Sequence, residues 1–103
     1  MAVIFDAKTA PPTLRLAGAV DINEAAELKA ALLEALASGA SAEIVLQDLT
    51  GADVSTLQLL HAGENAARAR GCAWKRTGAI PAVLRAVAEE AAWPGLPFAG
   101  EGE

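Results

Sequence analysis

Strand-like and helix-like hydrophobic patterns alternate along this chain, and their order restricts the possible folds more than any other feature. Strand-like runs occupy residues 2–5, 13–18, 43–47 and 72–76, and amphipathic helical patterns occupy residues 23–36, 55–70 and 81–92. Strands linked through a helix run parallel, whereas two strands linked by a turn form a hairpin. The order therefore predicts an α/β fold, a four-stranded mixed sheet with about three helices packed mainly on one face.

Proline and glycine mark the boundaries between these segments. Pro11 and Pro12 lie in the turn of the predicted hairpin. Gly39 and Gly71 follow the first two helical patterns, where a left-handed residue commonly ends a helix. Residues 48–52 lie between the central strand and the second helix and are predicted to form a loop.

The length and hydropathy of the chain fit a single domain. The 103 residues suffice for one core, so we assign residues 1–99 to one domain and residues 100–103 to a flexible tail. Apolar residues make up 53% of the sequence, but no apolar run approaches the roughly 20 residues that span a bilayer. The amino terminus lacks a signal-peptide pattern, and we therefore expect a cytoplasmic protein.

Charge and cysteine content argue against several classes of function. Eight basic and thirteen acidic residues give a formal net charge of −5, which opposes binding to nucleic acid phosphates. Cys72 is the single cysteine and His61 the single histidine, so we expect neither a disulfide nor a zinc site. No other pattern in the sequence indicates a cofactor.

The most informative segment for function is the start of the second helical pattern, where Asp53 and Ser55 follow the central strand. Exposed N–H groups and the helix dipole favour a negative group at such a helix start. Asp21 also follows a strand, and loops at the carboxyl ends of neighbouring parallel strands should lie side by side. We therefore expect a binding surface that combines these two loops.

Helix capping offers a purely structural explanation for the same residues. Ser55 and Gln58 have the spacing of a capping box, and so do Asp21 and Glu24. Replacing such a cap with alanine typically costs about 1 kcal/mol, so folding alone could require Ser55. Asp53 could orient the Ser55 hydroxyl or interact with the helix dipole.

Two segments resemble the motifs of the STAS domains, a family that includes bacterial anti-sigma factor antagonists. Residues 18–21 (Gly-Ala-Val-Asp) are similar to the family's Gly-x-Leu/Val-Asp turn. Residues 46–57 are similar to its central strand and the Asp-Ser/Thr-Ser-Gly-Leu start of its second helix. The resemblance implies that Ser55 occupies the position of the serine that partner kinases phosphorylate, with Asp53 and Asp21 beside it.

The resemblance also implies a partner-binding surface and a regulatory function. The sequence departs from the family pattern at Val54, where Ser or Thr is common, and at Thr56, where Gly is common, which makes Thr56 an alternative phosphorylation site. The implied partner-binding residues are Asp21, Ile22, Asp53, Val54, Ser55, Thr56 and Gln58.

The partner that the resemblance implies is a protein, either an anti-sigma factor or a related serine kinase. Such a module would regulate transcription without being an enzyme. Residues 57–60 of the second helix and the segment from Trp74 to Leu84 are more similar to smaller STAS proteins, including chemotaxis-associated adaptors and the cytoplasmic subunit of lipid-transport ABC complexes. The alternative is therefore a constitutive subunit whose partner is a transporter ATPase.

The remaining chemically distinctive side chains have structural interpretations. His61 lies nearly two helical turns beyond Ser55, and no third catalytic residue is evident, so we do not predict a Ser–His catalytic pair. We expect Cys72 to be a small core residue. Trp74 and Trp93 are expected to pack in the core or at its rim.

Overall fold

A central mixed sheet organises the fold. A computed structural model describes residues 2–39, 41–93 and 95–98. The strands are β1 (Val3–Asp6), β2 (Thr13–Val20), β3 (Ala42–Ala52) and β4 (Trp74–Thr77), and the helices are α1 (Ala25–Ala37), α2 (Val54–Ala69) and α3 (Ala82–Glu90). The four-stranded sheet has the order β1-β2-β3-β4, in which β1 and β2 are antiparallel and the other pairs are parallel. The predicted hairpin, mixed sheet and α/β class are confirmed.

Leucine-rich faces of the strands and helices form the core. In β2, Leu14 and Leu16 are buried while Arg15 between them is exposed, as expected for a strand with one covered face. On the exposed side, an Arg15 guanidinium nitrogen lies 2.7 Å from a carboxylate oxygen of Asp48. The fully buried large aliphatic side chains include Leu14, Leu16, Val20, Leu28, Ile44, Leu46, Leu57, Leu60 and Leu84. Burying each such side chain contributes about 1.5–3 kcal/mol.

The predicted loop at residues 48–52 is wrong, because these residues extend β3 to Ala52. They pair with the end of β2, where Ala17 aligns with Asp48 and Val20 with Ala52. The register shifts twice along this pairing, and Gly18, at φ 71°, provides a left-handed residue at one of the shifts. Parallel pairing satisfies backbone groups that a loop would leave to water, so tertiary contacts override the polar composition.

The helical boundaries differ from the sequence patterns by one or two residues. A short 3₁₀ turn, Ile22–Glu24, precedes α1, and α2 begins at Val54 rather than Ser55. Pro81 caps α3 instead of lying within it, because its ψ of 150° is extended. Gly39 (φ 70°) and Gly71 (φ 73°) adopt the left-handed conformation expected after α1 and α2.

The start of the fourth strand and the end of the third helix also differ from the sequence patterns. The fourth strand begins at Trp74, not Cys72, and α3 ends at Glu90, two residues before the predicted end at Ala92. The predicted tail at residues 100–103 lies outside the described residues. None of the helices in the described part of the chain combines the length and the hydropathy that a transmembrane helix requires.

Candidate functional site

The ends of β2 and β3 meet at one corner of the sheet. Val20 and Ala52, the last residues of these strands, are paired. Immediately beyond them, the backbone N–H of Ile22 donates a hydrogen bond of 2.9 Å to Asp53 Oδ2. The connections after β2 (residues 21–24) and after β3 (Asp53) form the two loops of the corner; they lie side by side as predicted, and the Asp53 carboxylate directly links them.

Asp53, rather than Ser55, is the cap of α2. Its Oδ1 accepts hydrogen bonds from the backbone N–H groups of Ser55 (3.0 Å) and Thr56 (3.3 Å). In return, the Asp53 N–H donates to Thr56 Oγ1 at 3.4 Å, which completes a capping box. The expectation of a Ser55–Gln58 box is wrong because the extended backbone ends at Asp53 and the helix begins one residue earlier.

The Ser55 hydroxyl is held by the same carboxylate. Ser55 Oγ donates to Asp53 Oδ1 at 2.5 Å, and the Ser55 side chain is half-buried. This bond is the largest cause of a lowered Asp53 pKa. Partial burial of the carboxylate raises the pKa, whereas hydrogen bonds from the N–H groups of Thr56, Ile22 and Ser55 lower it further. The half-buried Ser55 hydroxyl is thus held in a fixed orientation beside a stabilised negative charge.

Thr56 faces inward, in contrast to Ser55. Its side chain is only 1% exposed, and its hydroxyl donates to the carbonyl of Val20. The Thr56 side chain therefore connects α2 to the end of β2. A hydroxyl in this position contributes to the rigidity of the corner, and its burial shields it from a second macromolecule.

Asp21 caps the 3₁₀ turn, as its sequence pattern predicted. Asp21 Oδ1 accepts from the N–H of Asn23 at 2.9 Å, and Glu24 Oε1 accepts from the N–H of Asp21 at 3.1 Å. Both loops of the corner are consequently stabilised by carboxylate caps. Preformed loops lose little conformational entropy when a partner binds.

Two aliphatic side chains at this corner are exposed to solvent. Ile22 is 64% exposed and Val54 is 39% exposed. Gln58, one turn along α2 from Val54, is also exposed. The corner therefore presents an apolar pair with polar side chains around it, an arrangement typical of protein contact surfaces. Sequence reasoning placed these residues at the surface through family resemblance but missed the link from Ile22 to Asp53.

The structure places the other chemically distinctive residues elsewhere. His61 Nε2 lies 3.1 Å from the carbonyl oxygen of Gly95, and the His61 ring stacks on Trp93 at a centroid distance of 5.2 Å. Trp74 packs against Phe98 at 6.3 Å, as a packing residue should. The expectation of a core cysteine is wrong, since Cys72 is only half-buried just before β4. Within residues 2–39, 41–93 and 95–98, no cluster of His, Cys, Asp and Glu could hold a metal ion.

Comparisons with known proteins identify the fold and the family. The family model described as "Mlab, STAS domain" matches residues 3–92 of the 103 residues. No curated protein sequence matches the chain. A solved structure described as "Crystal Structure Analysis of Mglu" shares the fold, with a TM-score of 0.64 at 18% identity over 76% of this chain.

The match covers a small part of that larger protein, since it spans 20% of the Mglu chain, and it carries information about the fold alone. The family match spans every strand and helix of the sheet domain, including both capped loops. The chain belongs to the STAS domain family and is a STAS-type protein-interaction module.

Proposed function

We propose that this chain is a cytoplasmic regulatory module that resembles an anti-sigma factor antagonist. A partner protein, an anti-sigma factor or related serine kinase, binds over the docking corner, defined here as Asp21, Ile22, Asp53, Val54, Ser55 and Gln58. Phosphorylation of Ser55 weakens that contact. The observation that carries the proposal is the position of the Ser55 hydroxyl, oriented by Asp53 and flanked by exposed Ile22 and Val54.

Binding energy would come mainly from the two aliphatic side chains. Covering a largely exposed isoleucine contributes about 1.5–3 kcal/mol, and the capped loops hold Ile22 and Val54 in place before the partner arrives. The carboxylate groups of Asp21 and Asp53 add charge-based selectivity around this apolar pair.

Regulation would come from the proximity of Ser55 and Asp53. In phosphoryl transfer from a nucleoside triphosphate, a P–O bond forms to Ser55 Oγ, the P–O bond to the nucleoside diphosphate leaving group breaks, and the hydroxyl proton passes to a base of the kinase and then to solvent. The product carries nearly two negative charges where Oγ now lies 2.5 Å from Asp53 Oδ1. Repulsion would displace the carboxylate that accepts the Ile22 N–H, and the two loops of the corner would lose their link. Burial of Thr56 favours Ser55 as the acceptor.

A second candidate function is a constitutive subunit of a larger complex, such as a lipid-transport ABC system with a transporter ATPase as the partner, or a chemotaxis-associated adaptor. The observation that favours it is the satisfied, half-buried Ser55 hydroxyl, which Asp53 already binds. In this role Ser55 stabilises the helix start and is never modified. The docking corner is the same in both candidates.

The Ile22→Gln variant should bind the partner about tenfold more weakly, because the replaced side chain no longer offers a fully apolar contact. The measurement is quantitative recovery of co-purifying proteins from native cells with wild-type and variant full-length chains. Ile4→Gln is the matched control, since Ile4 is also an exposed isoleucine (49%) but lies in β1, outside the corner. Equal recovery with Ile22→Gln and wild type would contradict the proposed docking corner.

Intact-mass spectrometry of the chain isolated from its native cells distinguishes the two candidates. The regulatory module should show a fraction heavier by one phosphoryl group, which fragmentation assigns to Ser55 and which disappears in Ser55→Ala. Persistent absence of this fraction under growth and stress conditions would reject regulation and favour the constitutive subunit.

A further inference from the structure

We infer that the partner at the docking corner also lays an amphipathic helix along the groove between α1 and α2. This inference rests on the proposed function, because it extends the same interface. It names the chemical nature of the contacting segment, which neither the family nor the fold specifies.

The groove is an aliphatic depression formed by one face of each helix. Its walls are Lys29, Leu33 and Leu36 from α1 and Leu59, Ala62 and Ala66 from α2. Within each helix, these positions are three, four or seven residues apart, which is the spacing of one continuous helical face. Leu33 is 53% exposed, so the groove has an uncovered hydrophobic edge.

The size of the groove favours side chains of a macromolecule over a small molecule. Its volume is about 210 Å³, below the roughly 300–1,000 Å³ of typical small-molecule sites. Gly63 contributes to the floor, and its missing side chain lets α1 and α2 approach, since a Cβ there would lie 2.9 Å from Leu32 Cδ2. A shallow groove between two helices suits the apolar face of a third helix.

The groove and the docking corner share faces of the same two helices. Ser55 and Leu59 are four residues apart on α2, so they lie one above the other on the same face. On α1, Lys29 and Leu33 have the same relation, and the exposed Ile22 lies in the turn that precedes this helix. A partner that covers Ile22 and Ser55 would therefore extend along the same two helices toward the groove.

Charge defines the occupant further. Lys29 is the charged residue among the described groove walls, so a matching helix carries an acidic side chain near it and aliphatic side chains at intervals of three or four. A second copy of this chain is disfavoured, since it would bring another net charge of −5 against the first. The chemistry fits a helix from a different protein.

Site-specific photo-crosslinking in native cells tests this inference. The full-length chain carries benzoylphenylalanine at position 33, 22 or 4 in separate experiments, and crosslinked peptides are identified by mass spectrometry. Positions 33 and 22 should capture the same protein, and the peptide captured at 33 should have aliphatic residues at helical spacing with an acidic residue. Position 4 is exposed outside the groove and should not capture this protein.

Substitutions that change the charge of Lys29 provide a second test, in which binding to the captured partner is measured. Lys29→Glu should weaken binding roughly two- to fivefold, whereas Lys29→Arg should leave it unchanged, and an acidic-to-lysine change in the captured helix should restore binding to Lys29→Glu. Capture at 22 but not at 33 would overturn the groove inference and leave the proposed function intact. Capture at neither position would reject both, and capture of a second copy at 33 would replace the occupant with self-association.

Discussion

Asp53→Ala should lower the free energy of unfolding by about 2–3 kcal/mol, because the substitution removes a helix cap and leaves backbone donors without their partner. The Asp53 carboxylate oxygens accept hydrogen bonds from the N–H groups of Ser55 and Thr56 at the start of α2 and from the N–H of Ile22 in the neighbouring loop. Equilibrium urea unfolding of the wild type and the variant gives this difference directly.

Asp21→Ala is the matched control for this loss. Asp21 is also a carboxylate cap, but its Oδ1 accepts from Asn23 within its own turn and does not link two loops. Its loss should cost about 1 kcal/mol, the usual value for one cap. An Asp53→Ala cost no larger than that of Asp21→Ala would show that the link to Ile22 contributes nothing.

The stabilisation of the folded state by Asp53 should also decrease at low pH. The Ser55 hydroxyl and backbone N–H groups hold the folded-state pKa of Asp53 below its ordinary value. The charged carboxylate therefore stabilises the fold above the unfolded-state pKa of about 3.9, and this contribution falls as pH drops through the folded-state pKa. The difference in unfolding free energy between wild type and Asp53→Asn should be constant from pH 5 to 7 and shrink below about pH 4. A difference that grows on acidification would contradict the assignment.

Ser55→Asp should weaken partner binding by about 2 kcal/mol, or roughly 30-fold in Kd, if phosphorylation acts through charge. The new carboxylate would stand beside Asp53, where the Ser55 hydroxyl now donates its hydrogen bond, and like charges would disturb the link to Ile22. Titration of each variant against the purified partner measures the change.

Ser55→Ala separates the charge effect from the loss of the hydroxyl. This variant removes the bond to Asp53 without adding charge, and it should retain most of the affinity for the partner. Urea unfolding of both variants checks that the corner remains folded. Equal affinities of Ser55→Asp and Ser55→Ala would reject a charge-operated switch and leave the constitutive subunit as the better explanation.

Much of the candidate site could be predicted from residue type and local spacing. The acidic residue that starts each loop and the hydroxyl at the start of α2 were evident in sequence, and the Asp21–Glu24 capping box is observed. The role of Asp53 as the cap of α2 was not evident in the sequence, because Ser55 and Gln58 offered an equally good capping pattern. Local spacing cannot decide which residue ends the extended backbone, and here the pairing of β3 with β2 extends the strand to Ala52.

Residue patterns alone predicted the order of strands and helices, the hairpin and the glycines that end α1 and α2, because these features depend on periodicity and on φ preferences within short segments. The burial of Thr56, the exposure of Ile22 and the connection of the two loops by Asp53 result from the packing of the folded chain. The Ile22–Asp53 and Val20–Thr56 bonds join residues 31 and 36 positions apart. Such contacts follow from the way the strands align, which no local pattern encodes.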